Sequence, residues 1–177
     1  MLEVKNVVSR DITGNPLTSH WIQMQHQMEV CNLDTCDFLE TKFTFYTDRQ
    51  EYYNDVMGPS DCSKSKDGKV VGELIHFGIA FNPEPFYVYR PLTLTTQIEC
   101  EKWESDMIDK YTESPFNYCF IQYQYWKLDI FSCVVVPRNK QWFQAALPIY
   151  QDLWNTIEEE RKSGYEHRAP KKRALPK

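Results

Sequence analysis

The sequence lacks the features by which several protein classes are recognised. Its 177 residues contain no run of about 18 apolar residues, the length that a membrane-spanning helix needs. The charged start has no apolar stretch of the kind found in secretory signal peptides. The phosphate-binding patterns G-x-x-x-x-G-K-[ST] and G-x-G-x-x-G do not occur. We therefore expect an intracellular protein without a membrane span, and neither an ATPase nor a dinucleotide enzyme.

The six cysteines also lack a C-x-x-C pair. In a reducing compartment they are expected to be free thiols, several of them buried. A zinc site that combines Cys31, Cys36 and a histidine is left open as an alternative.

Basic residues are scarce outside the C-terminal end. The net charge is −5, and residues 161–177 hold seven of the 20 Lys and Arg residues but one of the 25 acidic residues. The body is therefore acidic, which disfavours general binding to nucleic acid. Phosphate contacts would have to come from a local cleft, from the tail or from an upstream part. Residues 164–177 are predicted to be a disordered basic tail.

The hydrophobic pattern predicts a single α/β domain over residues 1–163, with 1–47 and 116–163 as its core and 48–115 as an insertion that extends the sheet. The predicted core elements are a strand over 2–8, a helix from about His20 capped by Thr18 or Ser19, a strand over 36–46, two strands within 117–136, and a helix from Gln141 that Pro148 divides.

The first strand, Leu2-Glu3-Val4-Lys5, carries the clearest chemical pattern. Side chains alternate along a strand, so Glu3 and Lys5 share one face, and Leu2 and Val4 are expected to point into a core. A carboxylate can hold a hard cation such as Mg²⁺ or Mn²⁺. A nearby lysine can position water or neutralise charge on a phosphate. A solvated ion pair on a surface strand explains the same pattern.

A second E-x-K occurs at Glu40-Thr41-Lys42, with Asp37 before it. Asp37 has the wrong parity to meet Glu40 and Lys42 on one face. Glu40 and Lys42 are therefore interpreted as solvated strand charges.

Several motifs together resemble the YqaJ-like viral recombinase family, relatives of phage lambda exonuclease in the PD-(D/E)xK nuclease superfamily. The resemblance covers residues 1–46 and is weaker in Trp126-Lys127-Leu128 and the following helix. The matching elements are Leu2-Glu3-Val4-Lys5, Ser9-Arg10, Gly14, the helix Trp21–Val30 with Gln23, Gln25 and Met28, and Cys36-Asp37-Phe38.

The resemblance implies a restriction-endonuclease-like fold with a mixed β-sheet flanked by helices, and Mg²⁺- or Mn²⁺-dependent DNA cleavage, exonucleolytic, in viral recombination or replication. Glu3 and the Val4 carbonyl would bind the metal, and Lys5 would act on the nucleophile or on the phosphate charge. Gln25 would support Lys5 or the water. Substrate contacts would come from Ser9, Arg10 and Gln23. A helix glutamine bonded to backbone or water, and an ordinary loop arginine, remain the alternatives for Gln25 and Arg10.

The family motif also includes an acidic residue upstream of E-x-K, on the neighbouring strand. Because the sequence begins at Met1, we expect an N-terminally truncated core. This would be the C-terminal part of a longer nuclease, one half of a two-chain site, or a non-catalytic nuclease-like module that binds DNA or protein. Expected partners are DNA and either a second copy of the chain or a recombination protein.

Overall fold

The computed structural model describes residues 1–80 and 82–170, which contain both strands and helices. The strands are β1 Leu2–Asn6, β2 Thr35–Phe45, β3 Val56–Gly58, β4 Asp61–Ser65, β5 Val71–Ile79, β6 Asn82–Tyr89 and β7 Cys119–Pro137. The helices are α1 Thr18–Cys31, α2 Arg49–Asp55, α3 Gln97–Thr112 and α4 Lys140–Ser163, followed by a 3₁₀ turn, Glu166–Arg168. The predicted α/β class, a mixed sheet with flanking helices, is confirmed.

The main sheet has five strands in the order β1-β2-β7-β5-β6. β1 and β2 are parallel, whereas β5 pairs antiparallel with both β6 and β7. A parallel pair needs a crossover connection, and the segment between β1 and β2 contains α1, as in a β-α-β unit. β1 and β6 are the edge strands of this sheet. β3 and β4 form a separate antiparallel pair.

The chain divides into two compact units. The larger unit comprises Leu2–Pro16 and Asp37–Val134. Its core lies where α2 and α3 pack on the central strands, because Tyr52 of α2 and Trp103 of α3 are buried with side chains of β5 and β7. Residues 48–115, predicted to be an insertion, supply four strands and two helices of this unit, and two of these strands, β5 and β6, belong to the main sheet.

The smaller unit comprises Met1, Leu17–Cys36 and the described chain from Val135 onward. Within it, α1 contacts α4: the rings of Trp21 and Trp142 meet edge to face at 5.0 Å, and His26 Nε2 lies 2.7 Å from the Tyr150 hydroxyl. Met24 and Met28 of α1 are buried. Cys31, the last residue of α1, is exposed.

Three sequence predictions about element boundaries are wrong. Residues 119–137 form one continuous strand, because Lys127 and Asp129 pair with side chains of neighbouring elements, Asp55 and Lys69, and so do not interrupt it. α4 continues through Pro148. A proline removes one helical hydrogen bond, but it does not always end the helix. α1 begins at Thr18, and neither Thr18 nor Ser19 caps it.

The C-terminal tail is partly ordered. The 3₁₀ turn lies within the predicted disordered tail, and Arg168 Nη2 donates to Glu160 Oε1 of α4 at 2.6 Å. Residues 171–177 of that tail lie outside the described residues. Every helix among the described residues is too short or too polar to span a membrane. All six cysteines are free thiols, and Cys36, Cys62 and Cys100 are buried, as predicted.

Gly72 on β5 provides a stability test of this packing. A Cβ atom at Gly72 would overlap the ring of Trp126, its register partner on β7. Gly72→Ala is therefore expected to destabilise the protein by about 1–3 kcal/mol through overpacking, measured by urea unfolding. Gly78→Ala is the matched control, since its Cβ would meet Ile121 at an ordinary 3.4 Å. Equal loss in both variants would contradict this account.

Candidate active site

β1 holds Glu3 and Lys5 side by side on one face of an edge strand, as the alternation predicted. Lys5 Nζ lies 2.7 Å from Glu3 Oε1, and the two side chains are 27% and 12% exposed respectively. The pair is therefore half-buried rather than fully solvated. A half-buried pair at a sheet edge keeps access for a ligand while the nearby protein lowers the local dielectric.

The burial of the other face of β1 was predicted wrongly. Leu2 and Val4 do point away from Glu3 and Lys5, but their exposed fractions are 58% and 49%. The strand therefore turns its charged face toward the more buried side. The reason lies on β2, where Phe38 and Glu40 are buried as the register partners of Glu3 and Lys5.

β2 places a third charged residue beside the pair. Paired residues of parallel strands project to the same side, about 4.8 Å apart. Glu40 is the register partner of Lys5, and it is buried to 1% exposure. The interpretation of Glu40 as a solvated strand charge is therefore wrong, and Lys42, which shares its face, is half-buried.

Arg10 enters the same group from the loop after β1. Its Nη2 donates to Glu40 Oε1, and its Nη1 donates to the Asp11 carbonyl at 3.2 Å. A buried carboxylate needs such a partner, because desolvating an unpaired charge is strongly unfavourable. The structure thus brings together Glu3, Lys5, Glu40 and Arg10. Ser9 precedes Arg10 in this loop and is exposed.

The Val4 carbonyl points toward the open edge of the sheet. The Val7 N–H donates to Thr41 O, so the odd-numbered residues of this segment turn their backbone groups toward β2. Alternation turns the N–H and C=O of Val4 the other way. The role of that carbonyl as a metal ligand beside Glu3 stays a prediction.

Gln25 is fully buried in the smaller unit, with its amide engaged by the backbone. Its Nε2 donates to Pro137 O at 3.1 Å, and its Oε1 accepts from Asn139 N at 2.6 Å. Gln25 thereby links α1 to the turn between β7 and α4, which agrees with the alternative of a backbone-bonded glutamine. A supporting role toward Lys5 stays a prediction. Gln23, on the same helix, is half-buried.

The donor set suits a hard cation that keeps much of its water shell. Mg²⁺ is usually held by one or two carboxylates together with waters and substrate phosphates. Glu3 has two carboxylate oxygens with several acceptor positions, so it can contact Lys5 and a cation together. Glu40 Oε2 is buried and has no hydrogen-bond partner. Within residues 1–80 and 82–170, no three His, Cys, Asp or Glu side chains gather as a metal-binding group.

Sequence reasoning missed Glu40. The available signal was parity: Glu40 shares a face of β2 with Cys36 and Phe38, both of which are fully buried. Two apolar side chains before a glutamate on the same face indicate a buried carboxylate as readily as a solvated one. The partner that makes burial tolerable, Arg10, lies 30 residues away in the sequence.

Comparison with known proteins shows a similarity to a viral protein. The chain is 27% identical, over 178 aligned positions, to an uncharacterised protein, R354, of Acanthamoeba polyphaga mimivirus. The alignment covers 89% of this chain and 32% of R354, so the chain spans about a third of the length of that relative. No family model matches the sequence.

Proposed function

We propose that this chain carries the Glu-x-Lys part of a Mg²⁺- or Mn²⁺-dependent DNA nuclease, exonucleolytic, which acts in viral recombination or replication. The observation that carries the proposal is the half-buried Glu3–Lys5 pair on edge strand β1, set parallel to β2 with Glu40 and Arg10 beside it. The resemblance to YqaJ-like recombinases over residues 1–46 supports the assignment of roles.

The roles follow from the chemistry of each group. Glu3 and the Val4 carbonyl would hold the cation, which when bound lowers the pKa of a water and stabilises charge on the phosphate. The ammonium group of Lys5 lies beside Glu3. It would neutralise charge that develops on the phosphoryl oxygens as water adds and the P–O bond breaks. Arg10 offers a planar fork of donors to a phosphate. Gln25, Ser9 and Gln23 complete the predicted set.

The similarity to a mimivirus protein supports a viral setting, in which the chain would work in the cytoplasm or nucleus of the host cell. Its partners would be DNA and either a second copy of the chain or a recombination protein. The carboxylate upstream of the E-x-K motif would complete the site in a longer protein or a partner chain.

A second candidate is a non-catalytic, nuclease-like module that binds DNA or protein. It is favoured by the lack of a three-residue metal-binding group within the described residues. An acidic body also fits a protein-binding role better than general DNA binding. This candidate predicts binding that neither Mg²⁺ nor Glu3→Gln alters.

Calorimetric titration with Mg²⁺ and Mn²⁺ separates the two candidates. Glu3→Gln keeps the size of the side chain but removes its charge, so metal affinity is expected to fall at least about tenfold, or about 1.4 kcal/mol. Glu84→Gln, an exposed glutamate on the opposite edge strand β6, is the matched control and should bind as the wild type does.

Equal metal affinity in Glu3→Gln and wild type would contradict the assignment of Glu3. Wild-type protein that binds no metal would favour the non-catalytic module. The same titration on an N-terminally extended form then shows whether an upstream carboxylate restores binding.

A further inference from the structure

The Arg10–Glu40 pair is buried very unequally. The Glu40 side chain is 1% exposed, whereas that of Arg10 is 30% exposed. Arg10 uses Nη2 toward Glu40 and Nη1 toward the Asp11 carbonyl. A guanidinium has five N–H donors in a fixed fork, so these two contacts leave donors for another ligand. Arg10 is therefore a partly exposed cation that Glu40 holds in place.

A buried carboxylate at this place is not explained by stability. Replacing a buried ion pair with well-packed apolar residues is often neutral or stabilising, so such a pair is weak evidence of a structural role. Glu40 also keeps a buried oxygen, Oε2, without a hydrogen-bond partner. An unsatisfied buried acceptor is unfavourable for folding, and it lies on the strand next to the proposed active-site pair.

We propose that Glu40 is a positioning residue that holds Arg10 as a phosphodiester-binding arginine beside Glu3 and Lys5. Arg10 would contact a DNA phosphate directly, and Glu40 would act through Arg10. The proposal deepens the proposed function and rests on its substrate being DNA. It also explains how an otherwise acidic chain could bind a phosphate, because the contact would come from one local, oriented cation.

The physical gain is preorganisation. A free arginine side chain loses rotamer freedom when it binds a phosphate, and an arginine already fixed by a carboxylate loses less. The fork geometry then favours two parallel N–H···O bonds to one phosphate. The negative charge of Glu40 partly neutralises Arg10 and by itself weakens the attraction of DNA. Removing that charge would therefore strengthen DNA binding, whereas losing the orientation of Arg10 would weaken it. The direction of the change in affinity thus separates orientation from charge.

The test is metal-free binding of a fluorescein-labelled single-stranded oligodeoxythymidine of about 12 nucleotides, followed by fluorescence anisotropy in EDTA. Arg10→Ala and Glu40→Gln are each expected to weaken binding about tenfold. The double variant should be no weaker than either single variant, because both remove the same contact. Glu40→Asp keeps an acceptor for Arg10 and is expected to restore most of the affinity.

Asp106→Asn on α3 is the matched charge control, since Asp106 forms an exposed ion pair with Lys102 at 2.9 Å. It also removes one negative charge and should bind as the wild type or slightly more tightly. If circular dichroism shows that Glu40→Gln is not folded, Arg10→Lys is the deciding variant. It keeps the positive charge but loses the planar fork of guanidinium donors, so oligonucleotide binding is expected to fall as in Arg10→Ala.

Three results would overturn the proposal: no oligonucleotide binding by the wild type, unchanged or tighter binding by Glu40→Gln, and additive losses in the double variant. Because the titration contains no metal, failure here is separate from failure of the nuclease assignment, which the Mg²⁺ titration of Glu3→Gln tests.

Discussion

Lys5→Ala is expected to lower the rate of Mg²⁺-dependent DNA cleavage about 10²–10³-fold. The ammonium of Lys5 lies 2.7 Å from Glu3, the proposed metal ligand. Removing it takes away stabilisation of charge that develops only in the transition state, so kcat should fall much more than DNA affinity. Cleavage is measured as acid-soluble nucleotide released from a linear duplex, in the longest form of the protein that cleaves.

Lys42→Ala is the matched control for this prediction. Lys42 is the lysine of the second E-x-K, on β2, and is also half-buried. It follows Glu40, which is engaged with Arg10, so it should leave the cleavage rate within about twofold of the wild type. A Lys5→Ala protein that cleaves at the wild-type rate would refute the role of Lys5. Equal losses in both variants would indicate a general effect of positive charge on DNA binding.

How far the site could be predicted from the sequence is clearest on β1. Strand alternation correctly placed Glu3 and Lys5 together, because that periodicity is a local property of the backbone. It could not show which face was buried. That depends on Phe38 and Glu40 of β2 and on Arg10 of the loop, and these contacts are non-local. Leu2 and Val4 were therefore assigned to a core although they are exposed.

The same limit explains the other errors. A backbone-bonded glutamine was one of the two interpretations of Gln25, but its partners, Pro137 and Asn139, are more than 110 residues away. One strand, β7, replaces the two strands predicted within 117–136, and Lys127 in its middle is paired with Asp55. Element types followed from periodicity, whereas continuity and burial followed from partners that a single sequence does not identify.

The larger unit also buries a charged pair that no motif indicated. The side chains of Glu73, on β5, and Arg90, just after β6, are both 0% exposed. Arg90 Nε lies 3.2 Å from Glu73 Oε1 without the geometry of a hydrogen bond. Arg90 is held elsewhere by its Nη2, which donates to the Tyr52 hydroxyl at 3.1 Å. Burial raises the pKa of Glu73 to about 7, and the nearby positive charges of Arg90 and Arg49 offset only part of that rise.

This pKa makes stability depend on pH in a defined direction. The carboxyl group titrates near 4.5 when unfolded and near 7 when folded, so between these values the folded protein binds more protons. The contribution of Glu73 is therefore fully present below about pH 4.5 and is lost as the pH rises through about 7, a change of about 3 kcal/mol in the free energy of unfolding.

Glu73→Gln cannot titrate, and the difference between its free energy of unfolding and that of the wild type should change by this amount across the same pH range. Urea unfolding at several pH values measures it, with Glu84→Gln, an exposed glutamate, as the control whose difference from wild type stays nearly flat. Parallel curves for wild type and Glu73→Gln would mean that Arg90 keeps Glu73 ionised throughout. The pair would then be a true buried salt bridge, and Arg90→Met would be the strongly destabilising change, because it strands a buried carboxylate.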